Sequence, residues 1–169
     1  MMLLAKPTLY ISVQEHTDHV INEAQSILAS HAFVRGKYSQ LTGKDLERRV
    51  LTAAKYHDLG KQHPIWQEAC RKDLEIFQQT GQEVKMYHLR KANFRHEIAS
   101  LFLDPKLKAL SDVVKAAIGA HHGKLSEDVA HRWEDPRQGG AELWRLFKGI
   151  KNQVTNSSAP STQNELYPI

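Results

Sequence analysis

An adjacent histidine and aspartate, His57 and Asp58, are the residues of this chain best suited to chemistry. They stand at the end of an apolar helical run and are followed by Leu59-Gly60-Lys61. Neighbouring side chains on a helix point about 100° apart, so this pair can reach one metal ion most easily where the helix ends. An imidazole with a carboxylate suits a divalent transition metal, and a carboxylate can bridge two ions. Lys61 lies four residues after His57, where its ammonium could meet a phosphate near the same ions.

Further histidines stand in similar settings elsewhere in the chain. His16 lies in an early apolar helical segment, His96 lies within Arg95-His96-Glu97, and His121-His122 precede Gly123 at the end of another apolar run. A single histidine of this kind is more often an ordinary surface or core residue than a ligand. Together with His57-Asp58 these make four positions on a helical background. A coincidence of all four is much harder to attribute to chance, and they indicate a metal centre.

The other histidines lack such settings, and we interpret them as ordinary solvent-facing residues. His19 is the exception to test, because it lies three residues from His16 and could share its helix face. The group comprises His19, His31, His63, His88 and His131.

The elements that must position these residues read almost entirely as helix. Apolar residues recur at helical spacing over 12–30, 45–57, from Pro64 to Leu74, and over 94–103, 105–120 and 141–154. Ser12 is suited to cap the first helix, and Pro64 to open the third. No segment shows β-alternation. We predict an all-α fold with one domain over residues 1–155 and a flexible polar tail over residues 156–169.

Composition limits the class of protein. The chain has 169 residues, of which 41% are hydrophobic, enough for one domain with a core. The single Cys70 excludes an internal disulfide and a cysteine-rich zinc site. No apolar run has the length of a signal peptide or a membrane span, so we expect no membrane partner and a cytoplasmic location. The net charge of +4 is compatible with a polyanionic partner.

The order of these motifs resembles that of the HD superfamily of metal-dependent phosphohydrolases. Within it, the chain is most similar to the HD nuclease of type I CRISPR systems, through three local features. His57-Asp58-Leu59-Gly60-Lys61 leads into Trp66-Gln67, Arg95-His96-Glu97 is followed by Ser100, and His121-His122-Gly123 closes the set. The resemblance covers roughly residues 16–123.

The resemblance implies a helical HD bundle with one or two divalent ions between its helices. His16, His57 and Asp58 would hold the first ion, and Asp58 would bridge to a second ion bound by His96, His121 and His122. Lys61 would contact the scissile phosphate, which makes Asp58 and Lys61 the catalytic pair. The implied activity is hydrolytic cleavage of single-stranded DNA in antiviral defence, beside a separate CRISPR helicase subunit and an RNA-guided surveillance complex.

The proposed ligands indicate which metal is bound, and the residues after His121-His122 indicate how completely the first metal site is closed. An imidazole-rich shell favours Mn, Ni, Co or Fe over Mg. The family usually closes its first metal site with an aspartate after the double histidine, and only Asp128 and Asp135 follow Gly123 here. Either Asp128 or Asp135 takes the place of that aspartate, or a partner protein completes the first metal site, or the first ion is weakly held. Asp128 is the better candidate, because Ser126 could cap a short helix that carries it.

Residues 85–95 interleave basic and aromatic side chains and lead directly into His96. Lys85, Arg90, Lys91 and Arg95 could track phosphates while aromatic neighbours stack on bases. A solvated loop with two core aromatics explains the stretch equally well. Two alternative functions remain: an HD phosphohydrolase acting on a nucleotide or cyclic dinucleotide, and a degenerate, non-catalytic HD module.

Overall fold

The computed structural model describes residues 2–7, 9–81 and 87–122, and within them the chain is almost entirely helical. A two-stranded antiparallel ribbon, β1 (Leu4–Lys6) and β2 (Ile11–Ser12), precedes the helices. The helices are α1 (Val13–Ser30), α2 (Ala32–Thr42), α3 (Leu46–Tyr56), α4 (Pro64–Thr80), α5 (Tyr87–Ala92), α6 (His96–Ala99) and α7 (Asp112–Ala120). Two 3-10 helices, Leu59–Gln62 and Pro105–Ala109, lie between them. The all-α prediction is confirmed.

The helix starts follow the local signals in the sequence. The Ser12 hydroxyl accepts a hydrogen bond from the Glu15 amide at 3.0 Å, and the Asp45 carboxylate accepts one from the Arg48 amide at 3.1 Å. Pro64 occupies the first turn of α4. These caps satisfy amides that have no partner inside the helix, so α1, α3 and α4 begin where the sequence predicts.

Two of the predicted helices are shorter than their apolar patterns. The segment 94–103 forms only the single turn α6 and then continues as turns. The segment 105–120 divides at Ser111, whose backbone is extended (ψ 150°), into a 3-10 helix and α7. Pro105 begins the 3-10 helix, and Asp104 before it is extended (ψ 119°) because proline disfavours a helical residue before it.

The helices α2 and α5 and the β ribbon were not predicted, and α5 lies within the stretch 85–95 for which a solvated loop is one interpretation. None of the residues of α2 is buried, so it carries no apolar stripe for a periodicity argument to detect. The ribbon pairs only a few residues and contains an irregularity between Leu4 and Lys6, which is too short for alternation to appear.

Two apolar clusters form the core of the described part of the chain, and the turn after α3 joins them. The first cluster brings together α3, α6 and α7, and the second brings together β1, α4 and α5. Residues of the first are Ile98, Leu101, Val114, Ala116 and Ile118, and those of the second are Leu4, Ala69, Cys70 and Leu89. The turn that carries His57, Asp58 and Lys61 runs from the first cluster to the second, so burial on both sides fixes its position.

No helix in the described part of the chain is both long and apolar enough to cross a membrane. The predicted helix over 141–154 and the predicted tail over 156–169 lie outside the described residues.

Candidate metal centre

Asp58 is the centre of a cluster of histidines drawn from four separate parts of the chain. Its side chain is 1% exposed. The oxygen Oδ2 lies 3.0 Å from His16 Nε2, 3.2 Å from His57 Nε2 and 2.7 Å from Lys61 Nζ. The other oxygen, Oδ1, lies 3.1 Å from His96 Nε2 and 3.4 Å from His121 Nε2. One carboxylate therefore faces two different groups of imidazoles.

These contacts divide into two sets of possible metal ligands. Asp58, His96, His121 and His122 each offer a ligand atom within 4.8 Å of all the others, and so do His16, His57 and Asp58. His122 completes the first set through its ring, whose centroid lies 4.9 Å from that of His96. All six residues predicted as ligands are thus brought together, with Asp58 common to both sets.

The backbone fixes which nitrogen of two imidazoles carries a proton. His57 Nδ1 lies 2.7 Å from the Ala54 carbonyl oxygen, and His121 Nδ1 lies 2.7 Å from the Ile118 carbonyl oxygen. A carbonyl oxygen can only accept, so each Nδ1 must donate its proton. Each Nε2 then faces the Asp58 carboxylate, at 3.2 Å in His57 and 3.4 Å in His121, where a proton or a metal ion can lie between the two.

Three of the facing atoms are buried and have no hydrogen-bond partner among the residues that the structure describes. They are Asp58 Oδ1, His96 Nε2 and His121 Nε2. Buried polar atoms are almost always paired, because an unpaired one costs free energy. A divalent transition ion would satisfy all three at once, since it accepts imidazole nitrogen and carboxylate oxygen together. The donor set therefore fits a metal ion.

The electrostatics keep the carboxylate charged and most of the rings neutral. Burial by itself raises the pKa of Asp58, but the contacts with His121, His57, His96 and Lys61 outweigh it and hold that pKa far below its usual range. Asp58 is therefore ionised at neutral pH. It is available as a ligand throughout the neutral range.

Burial lowers the pKa of the imidazoles, and the Asp58 carboxylate raises it. Burial lowers the pKa of His16 and His96, and with His121 and His96 nearby it lowers the pKa of His122 to about 4. These rings are neutral at pH 7 and can ligate. Burial also acts to lower the pKa of His57, but Asp58 and the Ala54 carbonyl raise it overall. In the metal-free protein a proton on His57 supplies part of the missing positive charge.

Gly60 allows the turn of Asp58 to touch the turn of His96. A Cβ atom at Gly60 would lie 1.9 Å from the His96 carbonyl oxygen and 2.8 Å from the Ser100 amide nitrogen. The Gly60 amide donates to the Ser100 hydroxyl at 2.7 Å. Glycine at this position is therefore a requirement of close packing.

Gln67 ties the same turn to the N-terminal ribbon. Its side-chain amide donates to the Lys61 carbonyl at 2.7 Å and to the Leu4 carbonyl at 2.9 Å, while its Oε1 accepts from the Leu4 amide at 3.0 Å. The neighbouring Trp66 ring packs edge-on against His96, with 4.5 Å between centroids. Trp66 is thus a wall of the site.

The Lys61 ammonium belongs to the site but is buried. It is 6% exposed, pairs with Asp58 and lies 5.4 Å from the centre of the Trp66 ring. Its contact with a phosphate stays a prediction.

The predicted DNA-binding residues divide between exposed and paired positions. Arg90 and Lys91 are exposed on α5, with Lys91 Nζ 5.9 Å from the centre of the Tyr87 ring. Arg95 is ion-paired with Glu97, and Phe94 stacks on His63 at 4.7 Å between ring centroids. Lys85 lies outside the described residues, as do the possible closing ligands Asp128 and Asp135.

The remaining histidines stay apart from the centre. His19 and His31 are exposed, and neither His63 nor His88 joins a ligand set among the described residues. His19 therefore does not share the role of His16. His131 lies outside the described part of the chain.

Sequence reasoning missed the residues that orient the ligands. The Ala54 and Ile118 carbonyls act through the backbone, so their identity carries no signal. Glu97 lies 3.7 Å from His96 Nδ1 and is itself held by Arg95. Only the adjacency of Glu97 to His96 could have indicated it, because carboxylates commonly orient metal-binding histidines.

Comparison with known proteins gives one family. A family model described as Cas3, HD domain, matches residues 5–165, which is nearly the whole chain. No curated protein and no solved structure matches the chain significantly.

Proposed function

Because the chain belongs to the Cas3 HD-domain family, a family of CRISPR-associated metal-dependent nuclease domains, we propose that it cleaves single-stranded DNA in antiviral defence. It acts in the cytoplasm beside a separate helicase subunit and an RNA-guided surveillance complex. The observation that carries the proposal is the orientation of His57 and His121. Both rings give their Nδ1 protons to backbone carbonyls and turn Nε2 towards Asp58.

The residues of the centre would have different roles in phosphodiester hydrolysis. His16 and His57 form one ligand group, His96, His121 and His122 form the other, and Asp58 belongs to both. Bound divalent ions would lower the pKa of a coordinated water and offset the charge of the phosphate. Lys61, already beside Asp58, adds positive charge for the scissile phosphate. The buried Asp58 stays ionised, so the ligand that both groups share is always available.

The metal follows from the donor set. Five imidazoles and one carboxylate favour Mn²⁺, Co²⁺, Ni²⁺ or Fe²⁺, while Mg²⁺ prefers oxygen ligands. We expect activity to need added metal, because His16, His57 and Asp58 supply only three protein ligands to the first ion.

A nucleotide phosphohydrolase is the alternative that the structure favours less. The cavity that reaches His57 and His121, of about 390 Å³, is lined by aliphatic side chains apart from those two histidines and the pair Tyr38 and Arg49. Arg49 Nη1 donates to the Tyr38 hydroxyl at 2.6 Å, so this pair is already engaged. Such a cavity offers few groups with which to read a base.

The test is cleavage of circular single-stranded DNA with Mn²⁺ or Ni²⁺, beside a panel of nucleotides and cyclic dinucleotides. Circular substrate also separates endonuclease from exonuclease action. Wild type should cut the circle, and Asp58→Asn should lose both metal and activity. His16→Ala should weaken activity, while His19→Ala, on the exposed side of the same helix, should not. Hydrolysis of a nucleotide alone would favour the alternative, and retention of no metal would favour a degenerate module.

The closing ligand of the first ion is tested separately. Titrations of Mn²⁺ into wild type, Asp128→Ala and Asp135→Ala should show weaker binding in Asp128→Ala. Equal affinity in all three proteins would mean that neither aspartate closes the site.

A further inference from the structure

The Ser100 side chain lies at the point where the two ligand-bearing turns meet. It is fully buried, with 0% exposure. Its hydroxyl oxygen accepts from the Gly60 amide at 2.7 Å and lies 2.8 Å from the His57 carbonyl and 2.9 Å from the His96 carbonyl. The hydroxyl proton is available to either carbonyl. One small side chain therefore contacts the backbone of three residues of the site.

These contacts enclose Asp58 on both sides. His57 precedes Asp58 and Gly60 follows it by two residues, and Ser100 holds a backbone group of each. The third contact reaches His96, whose Nε2 faces Asp58 Oδ1 at 3.1 Å. Ser100 thus links the turn that carries Asp58 to the turn that carries His96.

The two turns approach each other closely at this junction. Gly60 and His96 are in backbone contact, and a single added carbon at Gly60 would overlap the His96 carbonyl oxygen. Alanine at position 100 would leave the Gly60 amide and a carbonyl unpaired in the interior, and the two turns would separate to rehydrate them.

We infer that Ser100 is a positioning residue of the metal centre, one that holds the His57–Gly60 turn against the His96 turn so that Asp58 and His96 can bind the same ion. The inference rests on the proposed metal-dependent function, and it adds a residue that touches neither metal nor substrate. Loss of an orienting partner of this kind typically weakens metal binding by about 10- to 100-fold.

The experiment compares Ser100→Ala with Cys70→Ala by Mn²⁺ titration calorimetry and thermal unfolding in the metal-free state. Cys70 is a matched control, since it is equally small and equally buried but lies in the second apolar cluster. Both variants should melt earlier than wild type. Only Ser100→Ala should bind Mn²⁺ about 10- to 100-fold more weakly.

One conservative variant and one amide measurement keep the test decisive if alanine disrupts folding. Ser100→Cys keeps the approximate volume with a poor hydrogen-bonding group and should resemble alanine. Hydrogen exchange at the Gly60 amide should be slow in wild type and faster in the Cys variant.

Wild-type metal affinity in Ser100→Ala or Ser100→Cys, or fast exchange at Gly60 in wild type, would overturn the inference. Failure of the proposed function looks different, because wild type itself would then bind no more Mn²⁺ than Asp58→Asn.

Discussion

The Lys61 ammonium and the Asp58 carboxylate form a buried ion pair, with 2.7 Å between Nζ and Oδ2. The same oxygen faces His16 and His57, so a metal ion bound there meets a positive charge already in place. Lys61 therefore opposes metal binding through charge repulsion while it is suited to attract the substrate phosphate. The two effects have opposite signs and can be separated by mutation.

We predict that Lys61→Met binds Mn²⁺ about tenfold more tightly and cleaves DNA about 100-fold more slowly than wild type. Methionine keeps the length and the contact with Trp66 but removes the charge. Calorimetry measures the first quantity, and single-turnover cleavage at saturating metal measures the second. Weaker metal binding in the variant would mean that Lys61 orients the carboxylate more than it competes with the ion.

We predict that Gly60→Ala lowers the free energy of unfolding by about 1–3 kcal/mol or more, because the new Cβ would overlap the His96 carbonyl and the backbone must move. Gly36→Ala is the matched control. Nothing lies within 4 Å of a Cβ at Gly36, which sits inside α2, so alanine there should stabilise by about 0.5–1 kcal/mol. Urea unfolding of both variants checks the pair, and equal stabilities would contradict the close approach of the two turns.

We predict that Arg90 and Lys91 contribute to binding of the single strand through its phosphates. Replacing both by alanine should reduce the slope of log affinity against log salt by about 1.4, since each phosphate contact on a single strand contributes about 0.7. Lys44→Ala with Arg48→Ala is the control, because it removes the same charge from the exposed start of α3. Fluorescence anisotropy with a labelled oligonucleotide at several salt concentrations measures the slopes. If both double variants give the same slope, residues 87–95 are a solvated surface only.

We predict that Cys70 resists alkylation in the native protein. Burial, with Asp73 nearby, raises the pKa of its thiol to about 12, so almost no thiolate is present at pH 8. The folded pKa exceeds the unfolded value of about 8.5. The protonated thiol thus contributes stability in full below about pH 8.5, and that contribution is lost as the pH rises towards 12. Iodoacetamide labelling with and without urea checks the first point, and the alkaline unfolding of Cys70→Ala checks the second. Rapid labelling without urea would contradict the buried position.

The sequence predicts which residues meet at the candidate metal centre better than it predicts the shape of the chain around them. His16, His57, His96 and His121 are recognisable because each stands where a helical pattern ends or shows a polar face, and the structure brings all four to Asp58. Their meeting in one place depends on helix packing, which the order of motifs implies only through the resemblance to a family.

The parts that could not be predicted depend on the backbone and on weak periodicity. The Ala54 and Ile118 carbonyls orient two ligands whatever side chains they carry. The helix α2 has no buried face, and α6 ends after one turn although its apolar residues continue. In each case tertiary contacts decide the structure, and the local pattern does not record them.

The side-chain amide of Gln67 is hydrogen-bonded to the backbone of Leu4, 63 positions earlier in the chain. The same amide donates to the Lys61 carbonyl. Contacts of such long sequence separation close a large loop and form slowly compared with local helical turns. We therefore expect the turn of Lys61 to reach its final geometry late in folding, after α4 has formed and the ribbon has docked. A kinetic intermediate would then have native helix content before it could bind metal, so far-UV circular dichroism and metal uptake should recover at different rates after dilution from denaturant.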